Sequence, residues 1–184
     1  MTIKVFIDNN AWDIFFHGSI DLITELPSPD FSLHITREAE FEIPQMPQPK
    51  REYVERHLSS GKIKTDLLFG FDDSHSLQEQ RVGGFGDEND PSIGGRFIEE
   101  DEAALIQSES ASIGPSKRPT GLLRNEADIS LAARSLHSVV LTCDGKNALK
   151  RAKDVHGGLI VDLKKYKIGS GLSAFIKSEI AAST

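Results

Sequence analysis

At 184 residues with 38% hydrophobic content, the chain is long enough to bury one good core and too short for two comfortable domains, so one domain with an insertion is expected. Twenty-eight acidic residues against 21 basic ones give a net charge of −7, which argues against a protein that coats nucleic acid through a broadly basic surface. The only cysteine, Cys143, rules out an intramolecular disulfide and a cysteine-based zinc site, and a reducing cytoplasmic setting fits.

Net acidity leaves room for an enzyme acting on nucleic acid, because a site that holds divalent cations needs local negative charge and lets the metals meet the phosphates. The N-terminus opens on polar and strand-forming residues, with no basic stretch leading into a long apolar run, so neither a signal peptide nor a membrane span is expected.

Residues 3–7 are rich in β-branched and aromatic side chains and end abruptly at Asp8-Asn9-Asn10, which predicts a buried strand delivering polar groups at its C-terminal end. Residues 11–26 carry apolar side chains at mostly helical spacing, with Gly18 as an interruption and Pro27 and Pro29 as the close. Residues 31–35 alternate like a second strand. Thr36 is placed to cap a short acidic helix through Glu42, which Pro44 ends.

From 44 to 121 the character changes, and the segment reads as an insertion: prolines, a helical stretch at 51–59, a glycine-rich acidic stretch at 83–95, a helix at 99–110 and a loop at 114–121. The last third is the most regular. It predicts a helix at 126–135, a strand at 138–142, a helix at 146–154, a glycine turn after His156, a strand at 159–163 and an amphipathic helix at 172–182. Strands separated by helices imply an α/β domain around a mostly parallel sheet.

Two strand ends place an acid where open parallel sheets keep their ligand sites, Asp8 after the first strand and Asp144 after Val139-Val140-Leu141-Thr142-Cys143. Each taken alone reads as readily as a turn former. Asp128 and Glu126 open a helix, where acids also suit the helix dipole. Glu38, Glu40 and Glu42 follow Thr36, and Glu38 and Glu42 share one helix face, where like charges repel unless a cation lies between them or both face water.

Four segments in chain order, Ile7-Asp8-Asn9-Asn10, the stretch from Ile35 through Glu42 to Ile43, Asn125-Glu126-Ala127-Asp128 with the following Ala132-Ala133, and Leu141-Thr142-Cys143-Asp144, resemble the signatures of the PIN domain family. The resemblance covers roughly the first 45 residues and the last 60. It implies a three-layer α/β/α fold and metal roles for Asp8, Glu42, Asp128 and Asp144, with Asn10 and Thr142 supporting them, Glu126 in reserve, and Glu38 and Glu40 as alternatives to Glu42. It further implies a metal-dependent endoribonuclease in which Mg²⁺ or Mn²⁺ lowers the pKa of a bound water and neutralises phosphate oxygens; if two ions bind, they would stand roughly 3.5–4 Å apart.

Analogy with small PIN proteins, many of which are toxins of toxin–antitoxin pairs, makes that role one option for the chain, with an RNA substrate, an antitoxin or other protein partner, and a homodimer as an open option. The competing readings are a non-catalytic PIN-like module that binds RNA or protein, and a related nuclease that cleaves DNA.

Other signals take bland readings. Val82-Gly83-Gly84-Phe85-Gly86 lacks the glycine spacing of a phosphate loop. Asp8 with Asn10 lacks the second Asp of an aspartyl-phosphate phosphatase. His17, His34, His75 and His156 are scattered and suit turns or surfaces. Cys143 reads as a core residue, as do Trp12, Phe15 and Phe16. Lys117, Arg118, Arg124, Lys146, Lys150 and Arg151 are candidates to meet a phosphate backbone, Lys117, Arg118 and Lys146 foremost, with a solvated basic face as the alternative.

Overall fold

In β1 (Ile3–Ile7), Val5 and Ile7 enter one buried cluster and Phe6 another, the alternation that a two-residue period imposes on a strand covered on both faces. The computed structural model describes residues 2–70, 80–85 and 94–183. His75, Gly86 and most of the acidic part of the glycine-rich stretch lie outside them.

β1 leads into α1 (Ala11–His17) and α2 (Leu22–Glu25), the latter capped by Asp21, which accepts the Ile23 N–H. The stretch predicted as one interrupted helix is two, because Ser19 takes a left-handed φ of 50° directly after Gly18. Next comes β2 (Phe31–Thr36), parallel to β1. Thr36 then caps α3 (Arg37–Glu42) by accepting the Ala39 N–H at 3.2 Å, an interaction of about 1 kcal/mol.

A 3-10 turn at Ile43–Gln45 leads to α4 (Gln48–Ser59) and β3 (Ile63–Asp66). These two elements fall inside the segment read from sequence as an insertion. β3 nevertheless pairs parallel with β2 at the edge of the main sheet, and α4 sends Tyr53 and Val54 into the core, so residues 48–66 are part of the body of the fold.

Beyond them, β4 (Leu68–Phe69) and β5 (Val82–Gly83) form a small parallel pair. Gly95 lies so close to it that a Cβ there would stand 2.4 Å from the Gly83 carbonyl. α5 (Glu100–Glu109) follows and contributes Leu105 to the core. β6 (Gly114–Lys117) and β7 (Leu123–Arg124) then make an antiparallel hairpin where a loop was expected. The chain closes with α6 (Glu126–Arg134), β8 (Val139–Thr142), α7 (Asn147–His156), β9 (Ile160–Asp162) and α8 (Leu172–Ser183), within a residue or two of the predicted spans.

The main sheet runs β3-β2-β1-β8-β9 with all four pairings parallel. One face packs against α1, α4 and α8 through Trp12, Phe15, Val54, Leu172 and Ile176. The other packs against α5, α6 and α7 through Leu105, Ile129, Ala133, Leu149 and Ala152. This is the three-layer α/β/α arrangement. Trp12 and Phe15 are fully buried and Phe16 packs against their cluster, so these rings build the core; burying Phe15 alone contributes about 3 kcal/mol.

A buried ion network ties the edge strand to α6. Arg134, 2% exposed, donates from Nε to Asp66 Oδ2 at 2.8 Å and from Nη1 to Ser130 Oγ at 2.5 Å. Lys4 and Arg96 also reach Asp66, and Arg96 forks onto both oxygens of Glu102 at 2.6 Å. Burial raises the Asp66 pKa, but Arg134 and Lys4 outweigh it and hold the carboxyl below its ordinary value.

His34 departs from the surface role expected of it: it packs on Phe6 at 5.4 Å between ring centres, and burial, followed by Lys4, pushes its pKa down to about 4. Among the described residues no helix is long and apolar enough to cross a membrane.

Candidate functional site

The strand order reverses between β1 and β8: from β1 the chain moves outward to β2 and β3, and from β8 it moves the other way to β9. In open parallel sheets the crevice at the C-terminal ends of such neighbouring strands is where ligands sit. Asp8 ends β1 at this crevice and Thr142 ends β8.

Asp8 is 8% exposed. Thr142 donates from Oγ1 to Asp8 Oδ2 at 2.6 Å, and Asn10 donates from Nδ2 to the same oxygen, also at 2.6 Å. The Asn10 Oδ1 in turn accepts the Cys143 N–H at 2.6 Å, while Thr142 Oγ1 accepts the Asp144 N–H at 2.9 Å. A short polar circuit thus fixes Asp8 and the start of the loop bearing Asp144. Asp144 itself is exposed, with Lys146 Nζ 4.0 Å from its Oδ1.

α3 supplies Glu42 and the first turn of α6 supplies Asp128. These acids lie near enough for their charges to act on one another. Burial raises the Asp8 pKa to about 6 against the opposing Thr142 hydrogen bond, and the charges of Asp128 and Glu42 add to the rise. Burial likewise raises Asp128, with Arg118 opposing it and Glu42 and Asp144 reinforcing it. The charges of Glu42 and Asp128 thus act on Asp8, and those of Glu42 and Asp144 act on Asp128.

The alternatives within α3 separate clearly. Glu40 is engaged by Arg37 and Thr65. Glu38 is buried, with one carboxylate oxygen lacking a hydrogen-bond partner among the described residues. Only Glu42 of the three acts on Asp8 and Asp128. Glu126 turns away: it accepts the Leu123 N–H at 2.7 Å and pairs with Arg81, anchoring the β6–β7 hairpin rather than lining the crevice.

The basic candidates divide similarly. Arg118, at the hairpin turn, places Nη1 3.3 Å from Glu42 Oε1. Lys117, Arg124 and Lys150 are exposed, and Arg151 is paired with Glu109 away from the acids. Cys143 is half-buried against the core and burial raises its thiol pKa, which leaves it unactivated.

Asn9 had no role assigned from sequence. It donates to Glu42 Oε2 and to the Ala39 carbonyl, both at 2.9 Å, and its own Oδ1 is buried with no donor among the described residues. Its place inside the Asp8-Asn9-Asn10 turn was the available signal; its contact with α3 depends on tertiary packing.

Among the described residues, no three His, Cys, Asp or Glu side chains are gathered as a preformed ligand set for a metal. The donor chemistry nonetheless fits a hard cation: every donor is oxygen, Asp8 and Asp128 are raised first by burial with neighbouring acid charges adding to it, and Asn9 Oδ1 is a spare acceptor beside Glu42. No protein-family model matches the chain, and no curated protein or solved structure shows significant similarity to it.

Proposed function

We propose that the protein is a PIN-like, metal-dependent endoribonuclease that hydrolyses RNA phosphodiester bonds at the β1/β8 crevice. The observation that carries this reading is Asp8, held by Thr142 at the topological switch point between β1 and β8, with Glu42 and Asp128 near enough for their charges to act on it and Asp144 near enough to act on Asp128. Asp8, Glu42, Asp128 and Asp144 would hold Mg²⁺ or Mn²⁺, which when bound supplies Lewis-acid activation of water and neutralises phosphate charge.

The protein's own contribution is orientation. Thr142 and Asn10 lock Asp8 Oδ2, so the carboxylate presents one geometry to a ligand. Asn9 holds Glu42 against the end of α3. Arg118 and Lys146 bring positive charge to the crevice rim, where an RNA backbone approaches. A cytoplasmic toxin, its partner an antitoxin, is the biological setting proposed by analogy.

Cleavage of matched single-stranded RNA and DNA oligonucleotides, with Mn²⁺ and with EDTA, tests the reading. Cleavage of RNA alone that EDTA abolishes supports it; cleavage of DNA alone would move the assignment to a deoxyribonuclease. A second reading, a non-catalytic module that binds RNA or protein, draws on the intrachain cations already neutralising Glu42 and Asp144. RNA binding without cleavage under any metal would favour it.

A further inference from the structure

The backbone of the β6–β7 hairpin is tied by several hydrogen bonds, while its Arg118 side chain is anchored by one half-exposed ion pair. Its base is pinned by the Leu123 N–H on Glu126, by Arg81 donating to the Gly121 carbonyl at 2.8 Å, and by Asn125 donating to the Ser112 carbonyl at 2.8 Å. Its turn is closed by the Arg118 N–H on the Leu122 carbonyl and the Gly121 N–H on the Arg118 carbonyl, with Gly121 at a φ of 81°.

From this fixed point the Arg118 guanidinium reaches Glu42, and its charge also favours ionised Asp128. The side chain is 45% exposed, and an ion pair so open to water is weak enough to be exchanged for another partner.

We propose that Arg118 is the phosphate-positioning residue of this site, held on Glu42 until a divalent cation takes over the Glu42 carboxylate. The proposal rests on the nuclease reading above. A cation held by Glu42 and the Arg118 guanidinium, 3.3 Å from Glu42 Oε1, would compete for the same carboxylate. Once displaced, the planar fork of donors is left at the crevice rim, where it matches the oxygens of a phosphodiester better than the neighbouring lysines do. Cation binding and RNA binding are thereby coupled, and by linkage each strengthens the other.

Two titrations test this on the full chain. The first measures Mn²⁺ alone, by the electron-spin resonance of the free ion, on wild type, Arg118→Gln, Arg118→Lys and Asp8→Asn. The second measures fluorescein-labelled single-stranded RNA by anisotropy, in EDTA and in Ca²⁺. Arg118→Gln is expected to bind Mn²⁺ about three- to fivefold more tightly than wild type, the scale of a half-exposed ion pair, and Asp8→Asn to lose the site.

Ca²⁺ should tighten RNA binding by wild type about fivefold more than by Arg118→Gln, with Arg118→Lys between the two. Equal Mn²⁺ affinity in wild type and Arg118→Gln, or a Ca²⁺ effect on RNA as large in Arg118→Gln as in wild type, would overturn the coupling and leave the metal site standing. Absence of Mn²⁺ binding to wild type would overturn the metal site and the coupling together.

Discussion

Thr142 Oγ1 donates a 2.6 Å hydrogen bond to Asp8 Oδ2, joining the ends of two adjacent parallel strands whose residues lie 134 positions apart in the chain. The same oxygen accepts the Asp144 N–H, so one hydroxyl orients two of the candidate ligands. Thr142→Val keeps the shape and removes both interactions. It is expected to raise the Asp8 pKa by about one unit, followed through the carboxyl carbon shift in EDTA, because the bond it deletes favours the ionised form. An unmoved pKa would show that the hydroxyl does not hold the charge.

Asp8 also shapes stability. Folding raises its pKa from the ordinary 3.8 to about 6, so the folded chain binds the proton more tightly than the unfolded chain, and stability falls as pH rises between those values. The cost at neutral pH is about 3 kcal/mol at most. In EDTA at pH 7, Asp8→Asn should therefore melt higher than wild type, by about 1–3 kcal/mol in chemical denaturation, with the gap closing towards pH 4. A destabilised Asp8→Asn protein would mean that the carboxylate is satisfied where it stands.

Asp66 works in the opposite sense. Its folded pKa is depressed, so its contribution is complete above 3.8 and is lost as pH falls through the folded value. Asp66→Asn leaves Arg134 buried without its counter-charge and should cost about 3–5 kcal/mol at pH 7, read from urea midpoints, with the deficit shrinking in acid. A cost under about 1 kcal/mol would indicate that water or a neighbour compensates Arg134.

Glu126 and Asp128 lie two residues apart and are expected to behave differently. Glu126→Gln loosens the hairpin and should lower cleavage about tenfold with no loss of Mn²⁺ affinity, since misplacement alone can cost that much or more. Asp128→Asn should lose Mn²⁺ affinity and cleavage together. Matching losses of Mn²⁺ affinity in the two variants would place Glu126 in the ligand set after all.

Much of this was legible because it is local. A β-branched run ending in Asp8, Thr36 placed to cap α3, and the continuous apolar run of Val139, Val140 and Leu141 are patterns complete within a few residues. Less local features escaped. β3 is four residues with Lys64 and Thr65 between its buried ends, and only pairing with β2 makes it a strand. β6 contains Pro115, which argues against a strand and is tolerated in a two-stranded hairpin whose register shifts between Gly114 and Lys117.

Glu126 sits at a helix start beside Asp128 and shares its chemistry. Only the hairpin, invisible in the local pattern, assigns it to Leu123 and Arg81. Likewise Arg134 occupies a position in α6 whose burial is made tolerable by an aspartate 68 residues away.

End-labelled single-stranded RNA incubated with Mn²⁺ and wild type, Asp8→Asn or Asp144→Asn, purified identically, puts the carboxylate chemistry to the sharpest test. Cleavage by wild type that falls by at least about a hundredfold in both variants is the expected result. Cleavage that persists in both would contradict the placement of the chemistry at the β1/β8 crevice.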